Sequence, residues 1–267
     1  MIKSYWKQVV AFFVVAASLI SCSTVPITGR SQLSLFPSSQ MAEMGLTNYN
    51  SFLKEAKLSD NKEQTDMVKR VGTNIANAVE KYMKDHGYES QLANFDWEFN
   101  LVEDDTPNAW CMPGGKVVFY TGILPYTKNE DGLAVVMGHE IAHAVAKHGN
   151  ERMSHAMGVQ AVAAGLQVAL QEKPQQTQQI YMAAFGLGAQ YGMMLPYSRK
   201  HEYEADKMGL IFMSMAGYNP EEAVDFWTRM SQMGGQKPPE FMSTHPADES
   251  RIKQIEANMA EAKSYAK

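Results

Sequence analysis

Two histidines and a glutamate within one short segment are the residues best placed to do chemistry. The segment Gly138-His139-Glu140-Ile141-Ala142-His143 puts two imidazoles four residues apart, so both project from one face of a helix. Neutral imidazole is a good zinc ligand, and this spacing suits a tetrahedral ion. Glu140 can take a proton from a water molecule that zinc activates. The pattern therefore predicts metal-assisted hydrolysis, with His139 and His143 as ligands and Glu140 as the catalytic base.

The competing interpretation of this segment is a surface helix with two solvated histidines. Residues 133–145 are otherwise apolar or small, which favours burial of this stretch of helix. A buried imidazole without a polar partner is costly, so burial favours metal binding over the solvated alternative.

The third zinc ligand must come from elsewhere in the chain, because catalytic zinc needs three protein ligands and one open position. A metzincin would place histidine six residues after His143, but glycine stands there and His148 is out of register. A later helix carries Glu202 and Asp206 on one face. We expect Glu202 to ligate zinc and Asp206 to accept a hydrogen bond from a ligand histidine. Glu204 is expected on a solvated face of that helix.

The elements around these residues are mostly helical. Residues 23–37 are rich in Ser, Thr, Pro and Gly and are predicted to form a tether that turns onto the domain surface. Strands are predicted at Phe95 to Val102 and Lys116 to Tyr120. Helical patterns cover about residues 39–57, 61–84, 131–148, 152–171, 177–194, 199–216, 220–232 and 247–263. A small sheet among helices predicts an α+β domain.

The N-terminus has the pattern of a secretory signal peptide. Two lysines precede an apolar run over residues 9–20, which is too short to span a bilayer as a helix. Leu19-Ile20-Ser21-Cys22 resembles the lipobox of bacterial lipoproteins, so Cys22 is expected to carry lipid. An ordinary signal peptide or an uncleaved anchor is the alternative. The predicted organisation is a signal peptide at 1–21, a lipidated tether at 22–37 and a single domain at 38–267.

Composition excludes several other classes of protein. The 267 residues are 45% hydrophobic and 20% charged, unlike a disordered or collagen-like chain, and two cysteines cannot make a disulfide scaffold. A net charge of -5 argues against nucleic-acid binding. Cys111 is expected to be a packing residue rather than a nucleophile.

Residues 154–197 stand out because they contain only two formal charges, at Glu172 and Lys173. Neither half offers about 20 consecutive apolar residues, the length that a membrane-spanning helix needs. We expect a helical hairpin packed against the active-site helix. A lid, a partner surface or a face that leans on a membrane are its possible roles.

Several ordered motifs together resemble the HtpX and CAAX-prenyl-protease family of gluzincin metallopeptidases, including its lipoprotein members and the mitochondrial OMA-type enzymes. The motifs are Gly138 to His143, Glu202 to Asp206, Asn108 to Lys116 with Tyr120 to Gly122, Ser243 to Pro246 with Arg251 and Ile252, and Val25 to Arg30. The resemblance covers nearly all of the chain after residue 21. It implies a mostly helical, zincin-like domain with a small sheet.

The resemblance also implies roles that the spacing does not give. Asn108, Ala109 and Trp110 would form an edge strand that pairs with the substrate backbone; entry into a β-turn is the alternative and is compatible with it. His245 would lie near the zinc, where it either stabilises the oxyanion or fills the open coordination position in a latent state. A plain helix-entry histidine is its alternative, and Arg251 would support the loop by a salt bridge.

The remaining histidines, His86, His155 and His201, match no motif and are expected to have no role in the chemistry.

Together these observations predict a membrane-anchored zinc endopeptidase that binds one Zn²⁺ per chain. By resemblance, Ser23 after the lipidated cysteine favours the bacterial outer membrane, with the domain facing the periplasm. Expected substrates are polypeptides, in particular misfolded or envelope proteins in quality control, and no nucleic acid. The alternative is a chaperone-like or assembly-interaction lipoprotein with a latent zinc site.

Overall fold

The computed structural model describes residues 22–232, 240–246 and 249–266. The predicted signal peptide, residues 1–21, lies outside the described residues. So do the first two residues of the predicted helix 247–263.

The predicted mostly helical α+β architecture is confirmed. The helices are α1 (Ser38–Glu55), α2 (Lys62–Asp85), α3 (Leu124–Thr127), α4 (Glu130–Val145), α5 (His148–Leu170), α6 (Gln175–Ala189), α7 (Leu195–Met215), α8 (Glu222–Gln232), α9 (Glu240–Thr244) and α10 (Glu249–Ser264). The strands are β1 (Cys22–Thr24), β2 (Ser31–Leu33), β3 (Glu98–Val102), β4 (Ala109–Met112) and β5 (Lys116–Tyr120). A π-helical stretch at Gln190–Met194 joins α6 to α7.

The larger sheet has three strands in the order β3-β5-β4. Strand β3 runs parallel to β5, while β4 runs antiparallel to it with Ala109 opposite Phe119. The β4–β5 turn uses Gly114 and Gly115 at φ 92° and 84°, a backbone conformation that residues with a Cβ rarely adopt. Within the described part of the chain, β4 has one partner strand, so its other edge is available for pairing.

Both faces of this sheet are covered. Val117 and Phe119 of β5 are fully buried in the main core, which α2, α4, α7 and α8 complete. Val118 points to the opposite face, where it packs with Tyr49 of α1. Alternating buried residues on one strand thus hold helices on both sides of the sheet, as expected for a strand covered on two faces.

The active-site helix α4 is buried along nearly its whole length, from Gly132 to Val145. It crosses α7 so closely that a Cβ added to Gly138 would lie 2.9 Å from the carbonyl oxygen of Gly209. Such a distance is too short for any side chain, so glycine is required on both helices at the crossing. The close approach brings residues 139 and 143 of α4 against residues 202 and 206 of α7.

The segment predicted as a tether instead forms a small antiparallel hairpin, β1–β2, that packs on the domain. Val25 is fully buried, and the side-chain amide of Gln32 donates to the carbonyl oxygen of Ala146 at 2.8 Å, just past the end of α4. The N-terminal hairpin is therefore tied to the carboxyl end of the active-site helix.

Helices α5 and α6 form the predicted hairpin, but α6 buries none of its residues. The expected packing of the hairpin against α4 is therefore wrong for α6, because its apolar side chains, such as Ile180 and Leu187, are exposed. Within the described ranges, none of the helices combines the length and the hydropathy needed to cross a membrane.

Candidate metal centre and active site

Four buried side chains converge where α4 crosses α7. We call them the metal cluster: His139 and His143 from α4, Glu202 from α7, and His245 just after α9. One nitrogen or oxygen from each lies within 4.8 Å of the others. The two nitrogens His139 Nε2 and His143 Nε2 are 3.1 Å apart, and each lies 3.3 Å from a carboxylate oxygen of Glu202.

The residues of the metal cluster fit a zinc ion. A tetrahedral ion with bonds of about 2.0 to 2.1 Å separates its ligand atoms by about 3.3 Å. The separations around His139, His143 and Glu202 are of this size. Imidazole nitrogen and carboxylate oxygen are also ligands that zinc accepts in catalytic sites. The structure thus brings together the three side chains that were predicted as ligands.

An ion pair between Asp206 and Arg251 fixes the orientation of the His139 ring. Asp206 Oδ1 lies 2.9 Å from His139 Nδ1, the contact expected for a carboxylate that orients a ligand histidine. The fully buried Arg251 donates to both oxygens of Asp206, at 2.7 and 2.8 Å, and its guanidinium lies 3.4 Å from the centre of the Trp227 ring. Arg251 also donates to the carbonyl oxygen of Pro246 at 3.2 Å, so it supports the loop that carries His245.

Glu140 projects into the same site. Its Oε1 is buried and has no hydrogen-bond partner among the described residues, although His245 Nε2 lies 3.4 Å away. An orphaned buried carboxylate oxygen is costly unless water or substrate reaches it. Burial raises the pKa of Glu140 above its ordinary value. A carboxylate with a raised pKa is suited to taking and releasing a proton.

His245 lies at the position opposite the two α4 histidines. Its Nδ1 is 2.9 Å from Glu202 Oε2 and 3.1 Å from His139 Nε2, and its Nε2 faces Glu140. Both roles implied by the resemblance stay predictions: one ring nitrogen lies among the ligand atoms, and the other faces Glu140.

A second buried polar group lies beside the metal cluster. We call it the Arg30 cluster, and its members are Arg30 from the β1–β2 hairpin, His148 and Glu151 from α5, and His201 and Glu204 from α7. His148 Nε2 lies 3.0 Å from Glu204, His201 Nε2 lies 2.8 Å from Glu151, and the two imidazoles stack 4.2 Å apart. Each histidine therefore pairs with the glutamate of the other helix.

Arg30 lies between the two carboxylates of this cluster. Its Nη1 and Nη2 donate to Glu151 at 2.7 and 2.8 Å, while Nε and Nη2 donate to Glu204 at 2.9 and 2.6 Å. Burial alone would raise the pKa of both carboxyls. Hydrogen bonds from His148, Arg30 and Thr28 outweigh burial at Glu204, and bonds from His201 and Arg30 do so at Glu151, lowering each pKa to about 2. Both carboxyls are therefore ionised at neutral pH.

One sequence-based expectation fails here, and two histidines lie in a buried cluster that the sequence did not predict. Glu204 was expected on a solvated face, but it is buried, because the N-terminal hairpin covers that side of α7. His148 and His201 were given no role, yet both are buried in the Arg30 cluster. The signal that could have found them is a repeated spacing: a glutamate follows each histidine by three residues, so each pair shares a helix face.

A groove with a volume of about 330 Å³ is lined by Cys111 and Met112 of β4, by α1 and by His143 of the metal cluster. Apolar side chains dominate its walls, among them Met41, Met44, Phe95, Met112 and Met153. Cys111, expected to be a packing residue, contacts the core and also lines this groove.

The predicted substrate-binding residues lie at the start of β4. Asn108 is buried and its side-chain oxygen accepts from the backbone N–H of Ala109 at 2.9 Å. Trp110 packs edge-on against Phe52 of α1. Cys22, the predicted lipid attachment point, is exposed at the beginning of β1.

Comparison with known proteins identifies the family to which this chain belongs. Residues 70–259 match peptidase family M48. The mitochondrial metalloendopeptidase OMA1 of Schizosaccharomyces pombe is 41% identical over 175 residues, which are 65% of this chain and 50% of that protein. The Arabidopsis thaliana protein of the same name is 35% identical over 70% of this chain and 37% of its own length. The β-barrel assembly-enhancing protease of Escherichia coli is 29% identical over 58% of this chain and 33% of its own length.

The chain thus aligns with about a third to a half of the length of these relatives. They also correct the predicted location. A bacterial outer-membrane lipoprotein facing the periplasm was expected, but the relatives at 35–41% identity are mitochondrial metalloendopeptidases, and the bacterial β-barrel assembly-enhancing proteases are more distant at 29–30%. That prediction of location is therefore wrong.

Proposed function

Because this chain belongs to peptidase family M48 and its metal cluster is that of a zinc metalloendopeptidase, we propose that it hydrolyses peptide bonds in extended segments of misfolded polypeptides. The observation that carries the proposal is the orphaned oxygen of Glu140 beside the converging ligands. A general base without a partner, next to a metal site, is what peptide hydrolysis requires and what a structural metal site would not need.

The chain's own groups divide the work of hydrolysis. His139, His143 and Glu202 would hold a zinc ion, which would supply Lewis-acid chemistry to polarise the scissile carbonyl and acidify water. Glu140 takes the proton of the attacking water and then delivers it to the leaving amine. His245 Nε2, 3.4 Å from Glu140 Oε1, donates a hydrogen bond to the oxyanion as it forms. Asp206 and Arg251 keep His139 in one orientation throughout.

The groove along β4 is the proposed substrate site. Its outer strand edge would pair with an extended peptide through main-chain hydrogen bonds, in which Asn108, Ala109 and Trp110 at the start of β4 would take part. The methionine-rich walls favour apolar side chains in the groove, since methionine adapts to differently shaped partners. Such segments are exposed mainly in unfolded or misfolded chains, which supports a role in protein quality control.

Membrane attachment is the other part of the proposal. Lipid on Cys22, at the exposed start of β1, would hold the domain against a membrane surface. The organisation that goes with it is a cleaved signal peptide at 1–21, a lipidated segment at 22–37 and one catalytic domain at 38–267. Closer kinship with the HtpX and CAAX-prenyl-protease group and with its lipoprotein branch belongs to this same proposal.

Glu140→Gln tests the enzymatic function. We expect equal zinc content in the two proteins and cleavage of an unfolded protein substrate by wild type alone, with a loss of about 10²- to 10⁴-fold in the variant. A chelator should abolish the wild-type activity. Glu103→Gln, an exposed carboxyl paired with Lys57, is the matched control and should cleave normally. Equal, chelator-insensitive cleavage by wild type and Glu140→Gln would exclude the proposed enzyme.

The second candidate function is a chaperone-like or assembly-interaction protein with a latent zinc site. The position of His245 Nδ1 among the ligand atoms favours it, because a fourth protein ligand would block the open position that catalysis needs. His245→Ala separates the two functions. Latency predicts that cleavage rises in the variant, whereas oxyanion stabilisation predicts that kcat falls with little change in KM.

A further inference from the structure

The two histidine ligands of α4 are supported in different ways. His139 Nδ1 meets a carboxylate directly, at Asp206. His143 Nδ1 instead meets another imidazole, His148 Nδ1, at 2.8 Å. His148 Nε2 in turn lies 3.0 Å from Glu204, and Arg30 binds Glu204 through two of its nitrogens. A continuous path of hydrogen bonds thus leads from the N-terminal hairpin to a metal ligand.

The carboxylate of Glu204, at the end of the path opposite His143, determines which atom donates in each hydrogen bond. Glu204 accepts from Arg30 and Thr28, and a carboxylate paired with a guanidinium only accepts, so His148 must donate to it from Nε2, and His148 Nδ1 is then an acceptor. His143 must therefore carry its proton on Nδ1, which leaves Nε2 free to bind a metal. The opposite tautomer of His148 would donate from Nδ1 and force the His143 proton onto Nε2. In that state His143 cannot ligate.

The Arg30 side chain is held firmly enough to set this direction. It is 11% exposed and binds Glu151 as well as Glu204, so it cannot turn away without breaking two ion pairs. The hydroxyl of Thr28, in the same hairpin, also donates to Glu204. Gln32 ties the hairpin to Ala146, three residues beyond His143. The hairpin therefore holds both the acceptor of the path and the end of the helix that carries the ligand.

We propose that Arg30 is a positioning residue for the metal site, which fixes the tautomer and orientation of His143 through Glu204 and His148. The proposal rests on the proposed zinc-dependent function and extends it to the N-terminal motif Val25 to Arg30, which has no part in the hydrolysis itself. Support of a ligand by outer hydrogen-bond partners typically changes metal affinity by about 10- to 100-fold.

The test compares Arg30→Met with Arg229→Met. Arg229 makes a similar partly buried pair with Glu222 on α8 but has no contact with the path, so it is the matched control. Zinc affinity is measured by competition with a chelating dye on protein shown to be folded by circular dichroism. We expect about 10- to 100-fold weaker binding in Arg30→Met, partial rescue in Arg30→Lys, and wild-type affinity in Arg229→Met.

A second variant keeps the test decisive if Arg30→Met does not fold. His148→Phe removes the polar atoms of the path but leaves Arg30 paired with both carboxylates, and it should weaken zinc binding as strongly. Imidazole ¹⁵N shifts of the metal-free protein should show His143 protonated on Nδ1 in wild type and a tautomer mixture in the variants. Unchanged zinc affinity and an unchanged tautomer in both variants would overturn the proposal. Because neither readout needs cleavage, this result differs from failure of the endopeptidase function.

Discussion

The metal cluster and the Arg30 cluster are neighbours built from the same residue types, histidine and glutamate on α4, α5 and α7. In the Arg30 cluster, two carboxylates share one guanidinium, and each imidazole meets a carboxylate. In the metal cluster, three imidazole nitrogens and a carboxylate face one another at 2.9 to 3.3 Å. Arg251 Nη1 also lies 3.2 Å from Glu202 Oε2.

The difference between the clusters is the source of the positive charge. The chain supplies it to the Arg30 cluster from its own N-terminal hairpin. The metal cluster receives part of its positive charge from Arg251, which pairs with Asp206 and lies 3.2 Å from Glu202; the imidazole nitrogens that face Glu202 are placed to bind an added cation as well. In the Arg30 cluster the arginine lies between the two carboxylates, whereas in the metal cluster the four ligand atoms lie within 4.8 Å of one another.

The largest expected effect is on stability, from removing the internal cation. Arg30→Met leaves Glu151 and Glu204 buried without their shared cation, which should cost about 3 to 5 kcal/mol in the free energy of unfolding. Denaturant unfolding of the zinc-loaded protein measures it. A loss below about 1 kcal/mol would show that the Arg30 cluster does not depend on its cation, and the comparison would fail.

Removing zinc should lower the stability of the folded protein by a similar amount. Zinc at about 1,000 times its Kd stabilises the folded state by about 4 kcal/mol, so a chelator should lower Tm clearly in wild type. The chelator should leave Tm of His139→Ala almost unchanged, because that variant has lost a ligand. The same Tm response in both proteins would mean that the ion binds elsewhere.

A smaller effect is expected at Asp206, which lies between Arg251 and the proposed zinc ligand His139. Asp206 accepts from Arg251 and contacts His139, so Asp206→Asn keeps the shape but weakens the support of the ligand. We expect zinc affinity to fall about 10- to 100-fold. Asp66→Asn, an exposed carboxyl paired with Lys62, is the control. Equal affinities in the two variants would restrict the role of Asp206 to packing.

The smallest effect concerns pH and Glu151. The folded protein holds the pKa of Glu151 at about 2, below the ordinary value of 4.5, through His201 and Arg30 and against the effect of burial. Its contribution to stability is complete above about pH 4.5 and is lost as pH falls toward 2. In urea unfolding of zinc-free protein, the slope of stability against pH should be smaller by at most about 1.4 kcal/mol per pH unit in Glu151→Gln, which keeps the contribution of Glu204. Identical slopes would contradict the prediction.

The parts of this molecule that sequence predicts well are those that depend on local spacing. The pair His139 and His143 needs only the period of one helix, and the helix boundaries follow from apolar patterns and glycines. Glu202 followed from the failure of the metzincin spacing and from the presence of one suitable acidic helix.

The missed features depend on contacts between distant segments. Nothing local in the Ser- and Pro-containing stretch after Cys22 indicates a hairpin, because β1 and β2 have only three residues each and are stabilised by packing on the domain. Glu204 lies two positions after the predicted ligand Glu202 and was assigned to solvent, since periodicity within α7 could not show what covers its other face. The repeated His-x-x-Glu spacing at His148 and His201 was the available clue.

The N-terminal hairpin also affects the order in which the parts of the molecule can fold. Arg30 leaves the ribosome early, but its partners Glu151 and Glu204 follow 121 and 174 residues later. Contacts between residues so far apart in sequence form late in folding, because closing the long loop between them costs conformational entropy. The hairpin is therefore made before its partners and is among the last segments to dock. A chain that is still being synthesised, or that has failed to fold, would lack the proposed Arg30 support of His143, and its metal site would be completed only together with the domain.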